Sequence, residues 1–157
     1  MVSAEWLKKA ELFESLTEFQ LTTLLSHSTE ISYAAGETIF NQGGKADYLY
    51  VLIEGTVELG VTADEKIPLM TSRIEKEGLV FGIPSLLEPF RYNVSATCLT
   101  PSRVLSLEAN YIKLKFNDDP KMGMEVMKKL VSIYFNRLNE LRAGVSNLVR
   151  SLKLKTP

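Results

Sequence analysis

The chain has 157 residues, of which 45% are hydrophobic and 24% charged, and its formal net charge is −1. This composition is typical of a globular domain, and the near-neutral charge argues against recruitment of DNA or of an anionic membrane. No apolar run is long enough to span a bilayer and the first residues lack a signal-peptide core, so a cytoplasmic location is expected. Cys98 and His27 are the only residues of their types, which excludes an intrachain disulfide and a multi-histidine metal site.

Residues 1–28 are predicted to form helices. Ser3 can cap a short first helix, and the pair Thr17 and Gln20 fits a capping box that begins a second one. Leucines at helical spacing follow this box. His27 falls near the end of the second helix, where a surface or C-capping role is expected rather than a ligand role.

Residues 29–107 change to a period of two, which predicts short β-strands separated by glycine turns. The candidate strands are Glu30–Tyr33, Thr38–Asn41, Tyr48–Glu54, Thr56–Val61, Lys66–Ile74, Val94–Leu99 and Arg103–Leu107. Many short strands at this spacing indicate a small antiparallel β-roll or jelly-roll-like barrel. With helices on both sides, the predicted fold is mainly β within the α+β class, and the whole chain forms one domain.

Residues 108–157 are predicted to be helical again, with a short helix over Glu108–Phe116 and a long one that begins at Asp118-Asp119-Pro120. Apolar residues of the long helix alternate at spacings of three and four. This seam contains Met124, Met127, Val131, Tyr134, Leu138, Leu141, Val145, Leu148 and Leu152. A repeat of seven residues predicts a coiled-coil homodimer through 120–153. Arg137 and Arg142 would repel each other across a parallel seam, which favours antiparallel pairing or association with another protein.

One segment carries a specific pattern of glycines, aromatic residues and alternating apolar residues. It runs Tyr33-x-x-Gly36-Glu37-x-Ile39-Phe40-x-Gln42-Gly43-Gly44-x-Ala46-Asp47-Tyr48-Leu49-Tyr50-Val51-Leu52-Ile53-Glu54-Gly55-Thr56-Val57-Glu58-Leu59. It closely resembles the first half of a cyclic-nucleotide-binding domain, the sensor module of the catabolite activator protein and of cyclic-nucleotide-dependent kinases and channels. With the flanking helices, the resemblance covers residues 13–145.

The resemblance implies a phosphate-binding cassette within residues 78–100. In the family it runs Phe-Gly-Glu, then an apolar residue, Ala or Ser, two apolar residues, a loop and an Arg. The Glu accepts the ribose 2′-hydroxyl and the Arg pairs with the cyclic phosphate. The candidate ligand contacts by this correspondence are Phe81, Gly82, Ile83, Pro84, Ser85, Leu86, Arg91, Tyr92 and Asn93.

The cassette departs from the family pattern at both charged positions. Ile83 stands where the Glu is expected, and Pro84 after it removes a backbone donor. The usual cassette length places Tyr92 at the Arg position. Strand parity agrees, because Tyr92 shares the face of the apolar set that begins at Val94, whereas Arg91 points away. Alternatively, a loop irregularity after Pro89 turns Arg91 inward.

The leading hypothesis is therefore a non-enzymatic sensor or interaction module with altered or lost nucleotide binding. Two interpretations of the pocket stay open: a relic filled by Ile83, Leu86, Tyr92 and Val94, or a site for a less anionic molecule. The alternatives are a functional cyclic AMP or cyclic GMP receptor that uses Arg91, and a cupin-like metal protein or haem protein with Cys98, His27 or methionine ligands. No cofactor is expected. The chain ends at Pro157, so no helix-turn-helix is expected, while a separate protein partner is compatible with the leading hypothesis.

Overall fold

The computed structural model describes residues 2–62 and 68–155, which form four α-helices, eight strands and one 3₁₀ turn. The helices are α1 (Ala4–Lys8), α2 (Glu18–Leu25), α3 (Ala109–Asp118) and α4 (Pro120–Lys155). The strands are β1 (Ser28–Tyr33), β2 (Thr38–Phe40), β3 (Tyr48–Glu54), β4 (Val57–Thr62), β5 (Pro68–Ile74), β6 (Val80–Phe81), β7 (Ser95–Cys98) and β8 (Ser102–Glu108). The 3₁₀ turn spans Ile83–Leu86.

The helix starts follow the capping signals of the sequence. Ser3 accepts a hydrogen bond from the Trp6 N–H at 3.1 Å. Thr17 and Gln20 form the predicted capping box, since each side chain accepts a hydrogen bond from the other residue's backbone N–H. Asp119 accepts the Met122 N–H at 3.2 Å in the first turn of α4. These bonds satisfy amide groups that a helix start leaves without partners.

The strands form two four-stranded antiparallel sheets, in the orders β1-β8-β3-β6 and β2-β7-β4-β5. The predicted β-roll with flanking helices is thereby confirmed. The predicted strand Lys66–Ile74 is observed from Pro68, and its first two residues lie outside the described residues. The short strand β6 pairs with β3 and leads directly into the cassette. The boundaries at residues 28 and 107, which separate the β-roll from the helices on either side, stay a prediction.

Strand β3 is buried on both faces and separates two cores. Leu49 and Val51 face the first, which we call the helix-side core, because it is shared with α1–α4. Tyr50 and Leu52 face the second, the inter-sheet core, where side chains of both sheets meet. The period of two along one strand therefore supplies both layers.

Helix α4 carries two apolar faces. The inner face packs on the helix-side core through Met122, Val126, Leu130 and Ile133, all buried. The predicted seam is exposed at Met124, Val131, Tyr134, Leu138, Leu141, Val145, Leu148 and Leu152, while Met127 is half-buried against the helix-side core. The sequence analysis identified the seam, whereas the packing of the inner face on the helix-side core is found in the structure.

Candidate functional site

The cassette begins with a glycine turn after β6. Gly82 has φ +77°, in the left-handed region that glycine adopts without strain. A Cβ atom there would lie 3.0 Å from Cδ2 of Tyr50 and 3.1 Å from the carbonyl oxygen of Tyr48. The turn therefore needs glycine both for its backbone angle and for its close approach to β3.

Tyr92, at the position where the resemblance places an arginine, is 5% exposed and lies inside the roll. Its ring stacks on Phe40 with centroids 3.8 Å apart and planes inclined by 13°. Its hydroxyl donates a hydrogen bond to the Tyr48 carbonyl oxygen at 2.8 Å. The Tyr92 backbone bonds Gly43 and Gly44, so the ring and the main chain are both fixed.

Burial also sets the charge of this position. It raises the pKa of Tyr92 above the ordinary tyrosine value, and it raises the pKa of Tyr50 further, with Tyr92 nearby adding to the effect. Both phenols are therefore neutral at physiological pH. Where a cation would attract a phosphate, the pocket presents an uncharged ring.

Arg91 lies outside the pocket, as strand parity predicts. Its side chain is exposed, and its backbone forms an isolated β-bridge with Lys45. The loop after Pro89 does contain an irregularity, because Phe90 adopts φ 58°, yet Arg91 still faces outward. The alternative in which Arg91 turns inward is therefore not the arrangement found.

A cavity of about 150 Å³ remains beside Tyr92. It is lined by Phe40, Leu59, Ser72, Phe81, Gly82, Ile83, Pro84, Tyr92, Asn93, Val94, Tyr134 and Arg137. Ligand pockets for larger organic molecules usually measure about 300–1,000 Å³. Of the predicted site residues, Ser85, Leu86 and Arg91 do not line the cavity.

Ile83 and Leu86 do not fill the pocket in the way the relic hypothesis expected. Both side chains are buried in the helix-side core, and only Ile83 also borders the cavity. The 3₁₀ turn starts from the left-handed Gly82 and packs against α3 and β3, which carries its side chains toward the helices. Ser85 is fully buried there, and its hydroxyl has no hydrogen-bond partner within the described ranges. Aromatic side chains of the inter-sheet core, Phe40, Phe81 and Tyr92, line the pocket instead.

Arg137 is the site residue that the sequence argument misplaced. Its Nη2 lies 3.4 Å from the Val80 carbonyl oxygen and 3.6 Å from Oε2 of Glu11, so it faces the strand that leads into the cassette. It does not lie on the predicted seam beside Arg142, because the 3.6-residue turn of α4 rotates it toward the roll. Arginine spacing in the sequence carries no signal for this contact, which depends on how α4 packs.

Arg137 also borders a second cavity, of about 680 Å³, between α4 and the β5 region. This cavity shares Ser72 and Arg137 with the first one. Glu11, which also accepts the Val80 N–H at 3.0 Å, lies on its wall. The two cavities therefore meet at one guanidinium.

The residues considered for metal or haem lie in separate environments. Cys98 is fully buried in the inter-sheet core, and burial raises the pKa of its thiol. His27 stacks on Tyr111 with centroids 3.6 Å apart and contacts Glu108 at 2.8 Å. Residues 2–62 and 68–155 contain no group of three His, Cys, Asp or Glu side chains arranged to hold a metal ion. Among the helices described, none combines the length and apolarity needed to cross a bilayer.

The family model of the cyclic nucleotide-binding domain matches residues 30–119 of this chain. The chain belongs to that family. A solved structure from Geobacter metallireducens, assigned as a cyclic nucleotide-binding protein, is 30% identical, with TM-score 0.76 over 88% of this chain and 99% of that chain. The N-terminal domain of a Streptomyces coelicolor transcriptional regulator is 26% identical, with TM-score 0.68 over 87% and 94% of the two chains.

A longer relative matches nearly the whole domain. It is the CRP-like cAMP-activated global transcriptional regulator of Mycobacterium tuberculosis, 26% identical over 146 residues. The match covers 92% of this chain and 62% of the relative, so this chain spans less than two thirds of that regulator's length. The relatives are regulatory and nucleotide-binding proteins rather than enzymes.

Proposed function

We propose that this domain is a non-enzymatic regulatory sensor whose pocket has lost tight binding of cyclic nucleotides. The observation that carries the proposal is the buried, stacked ring of Tyr92 at the position of the family's phosphate-binding arginine. It supplies no positive charge, and its volume leaves a cavity of about 150 Å³. A cytoplasmic location, predicted from the sequence, belongs to the same proposal.

The expected loss of affinity follows from the missing contacts. A hydrogen bond to a charged group contributes about 1.5–3 kcal/mol. Loss of both the carboxylate contact at Ile83 and the cation contact at Tyr92 removes roughly 3–6 kcal/mol, or about a hundredfold or more in dissociation constant. Pro84 removes one further donor from the turn that would face the phosphate.

We also propose that the domain forms a homodimer through α4. Its 36 residues carry an exposed apolar seam from Val131 to Leu152 that continues beyond the inner face. Such a seam favours burial against a second helix with the same repeat. Arg137 points to the roll, which removes the repulsion that disfavoured a parallel pair. If the domain is monomeric, the seam would instead be free to bind a separate protein partner.

Isothermal titration calorimetry with cyclic AMP and cyclic GMP tests the loss of nucleotide binding. We expect no heat of binding in the low-micromolar range for either nucleotide. Arg91→Gln is the matched variant, because Arg91 is the cation nearest in sequence to the lost position. Low-micromolar binding by the native chain contradicts the proposal, and its disappearance in Arg91→Gln would establish the alternative receptor.

A further inference from the structure

The cavity beside Tyr92 has an apolar interior and a polar, cationic edge. Its buried and half-buried apolar lining includes Phe40, Leu59, Phe81 and Val94, and its more exposed polar lining includes Ser72, Asn93, Tyr134 and Arg137. An apolar cavity of about 150 Å³ is large enough for one molecule the size of benzene. The volume and the wall chemistry therefore favour a compact apolar group with a polar end.

The guanidinium of Arg137 can take the polar end. Arginine has five N–H donors in a planar fork that matches the two oxygens of a carboxylate. Within residues 2–62 and 68–155, its bonds to protein run from Nη2 alone, to the Val80 carbonyl oxygen and to Glu11. The remaining edge of the fork is available to a ligand, and the side chain is 36% exposed.

Glu11 already shows that a carboxylate is attracted to this position. Its Oε2 lies 3.6 Å from Nη2 of Arg137, which is longer than a close charge-assisted hydrogen bond, while the same oxygen accepts the Val80 N–H at 3.0 Å. Glu11 thus holds Arg137 beside β6, and N–H donors of Arg137 stay available to a ligand. A ligand carboxylate can share the guanidinium or displace Glu11 from it.

We propose that this pocket binds a small organic monocarboxylate of about the size of benzoate, with its apolar body in the cavity and its carboxylate on Arg137. The inference rests on the proposed function, because it requires that the pocket no longer serves cyclic nucleotides. It assigns the pocket's cation to the long helix instead of the cassette. Arg137 precedes the seam residues Leu138 and Leu141, so the ligand would connect the cassette directly to α4.

Titration of the ¹⁵N-labelled chain with sodium benzoate and, separately, with benzamide tests the proposal by amide chemical shifts. The two probes share shape and differ in charge. We expect saturable benzoate shifts centred on the amides of Gly82, Tyr92 and Asn93, and a dissociation constant at least about tenfold weaker for benzamide. This comparison uses the unaltered chain and does not depend on how any variant folds.

Two variants on the same helix assign the cation. Arg137→Gln should weaken benzoate binding by about tenfold. Arg142→Gln should leave it unchanged, because Arg142 is exposed and borders neither cavity. Glu11→Gln removes the competing charge but keeps an acceptor for the Val80 N–H, so it should bind benzoate more tightly.

Equal binding of benzoate and benzamide, or no saturable shift at the cavity amides, would overturn this proposal and leave the proposed function intact. An unchanged benzoate affinity in Arg137→Gln would overturn it as well. Low-micromolar binding of cyclic AMP in a parallel titration would instead overturn the proposed function, whatever benzoate does. The two failures are therefore distinguishable.

Discussion

The hydroxyl of Tyr92 donates a hydrogen bond to the carbonyl oxygen of Tyr48 at 2.8 Å, across 44 residues of the chain. This bond ties the segment that ends the cassette to the start of β3. Together with the stack on Phe40, it holds the ring at the position where the resemblance places an arginine. One neutral side chain thereby both stabilises the roll and narrows the pocket.

Removal of this hydroxyl should lower stability without opening the pocket. Tyr92→Phe loses a buried hydrogen bond and is expected to reduce the free energy of unfolding by about 1 kcal/mol, while its ring still stacks on Phe40. Tyr111→Phe is the matched control, because that hydroxyl makes no hydrogen bond to the described part of the chain. Urea denaturation measures both variants, and equal stabilities would contradict a structural role for the Tyr92–Tyr48 bond.

Stability should fall at alkaline pH because of Tyr50 and Tyr92. Burial raises the pKa of both phenols above the ordinary value of 10.0. Above about pH 10 the unfolded chain releases these protons while the native chain retains them, so stability present below that pH is lost as the pH rises. Each tyrosine contributes up to about 1.4 kcal/mol per pH unit in that range.

Urea midpoints measured at about pH 9 and about pH 11 test this linkage. The double variant Tyr50→Phe with Tyr92→Phe should show a shallower decline than the native chain. The two proteins differ only at these two side chains, so the comparison isolates the two phenols. Parallel declines in the two proteins would show that these tyrosines do not set the alkaline limit.

The sequence predicted the features that depend on neighbouring residues. Capping residues located α2 and α4, and alternation along the strands placed Tyr92 inside and Arg91 outside. It did not predict the Arg137 contact or the stacking of Phe40 on Tyr92 at the pocket. Both depend on how separate elements pack, and a heptad pattern in α4 does not state which residues between the seam positions face the roll.

The 3₁₀ turn shows the same limit at shorter range. The segment that the resemblance identifies as the cassette forms a 3₁₀ turn directly after Gly82. The direction in which Ile83 and Leu86 point is set by the left-handed backbone of Gly82 and by packing against α3. The position of the turn in the sequence therefore did not determine that Ile83 and Leu86 pack into the helix-side core.

Gly82→Ala should be more destabilising than Gly36→Ala. Both glycines have positive φ, +77° and +87°, so both variants carry a similar backbone strain of about 1 kcal/mol. Only at Gly82 does the added Cβ atom meet Tyr50 and the Tyr48 carbonyl oxygen, whereas at Gly36 it meets nothing within 4 Å. Thermal unfolding should separate the two variants, and equal losses would mean that the cassette turn relaxes away from β3.

The nucleotide-binding capacity of the frame can be tested by restoring both charges. Ile83→Glu combined with Tyr92→Arg should create measurable affinity for cyclic AMP, because the restored side chains supply the carboxylate and the cation of the family cassette. Each single change should do little, since it leaves an unpaired charge at a buried position. Adding Pro84→Leu restores a backbone donor and should improve binding further.

Calorimetry with cyclic AMP measures these variants, and circular dichroism shows whether they remain folded. The largest loss of folding stability is expected from Ile83→Glu, because Ile83 is 2% exposed and belongs to the helix-side core. Folded double and triple variants that bind nothing at millimolar nucleotide would show that the backbone itself has diverged. The pocket would then not be restorable by its two charged contacts.

The seam of α4 predicts a homodimer that charged substitutions on this one face of the helix can dissociate. Leu138 and Leu141 are 43% and 48% exposed on the seam, so Leu138→Glu with Leu141→Glu should convert a dimer to a monomer, since two buried carboxylates would face the partner helix. Leu154→Glu is the matched control, because Leu154 is 81% exposed and lies outside the heptad positions. Multi-angle light scattering at micromolar concentration gives the mass of each protein. A monomer mass for the native chain would contradict the prediction, as would a dimer that survives the double change. A dimer lost equally in Leu154→Glu would place the interface beyond the predicted seam.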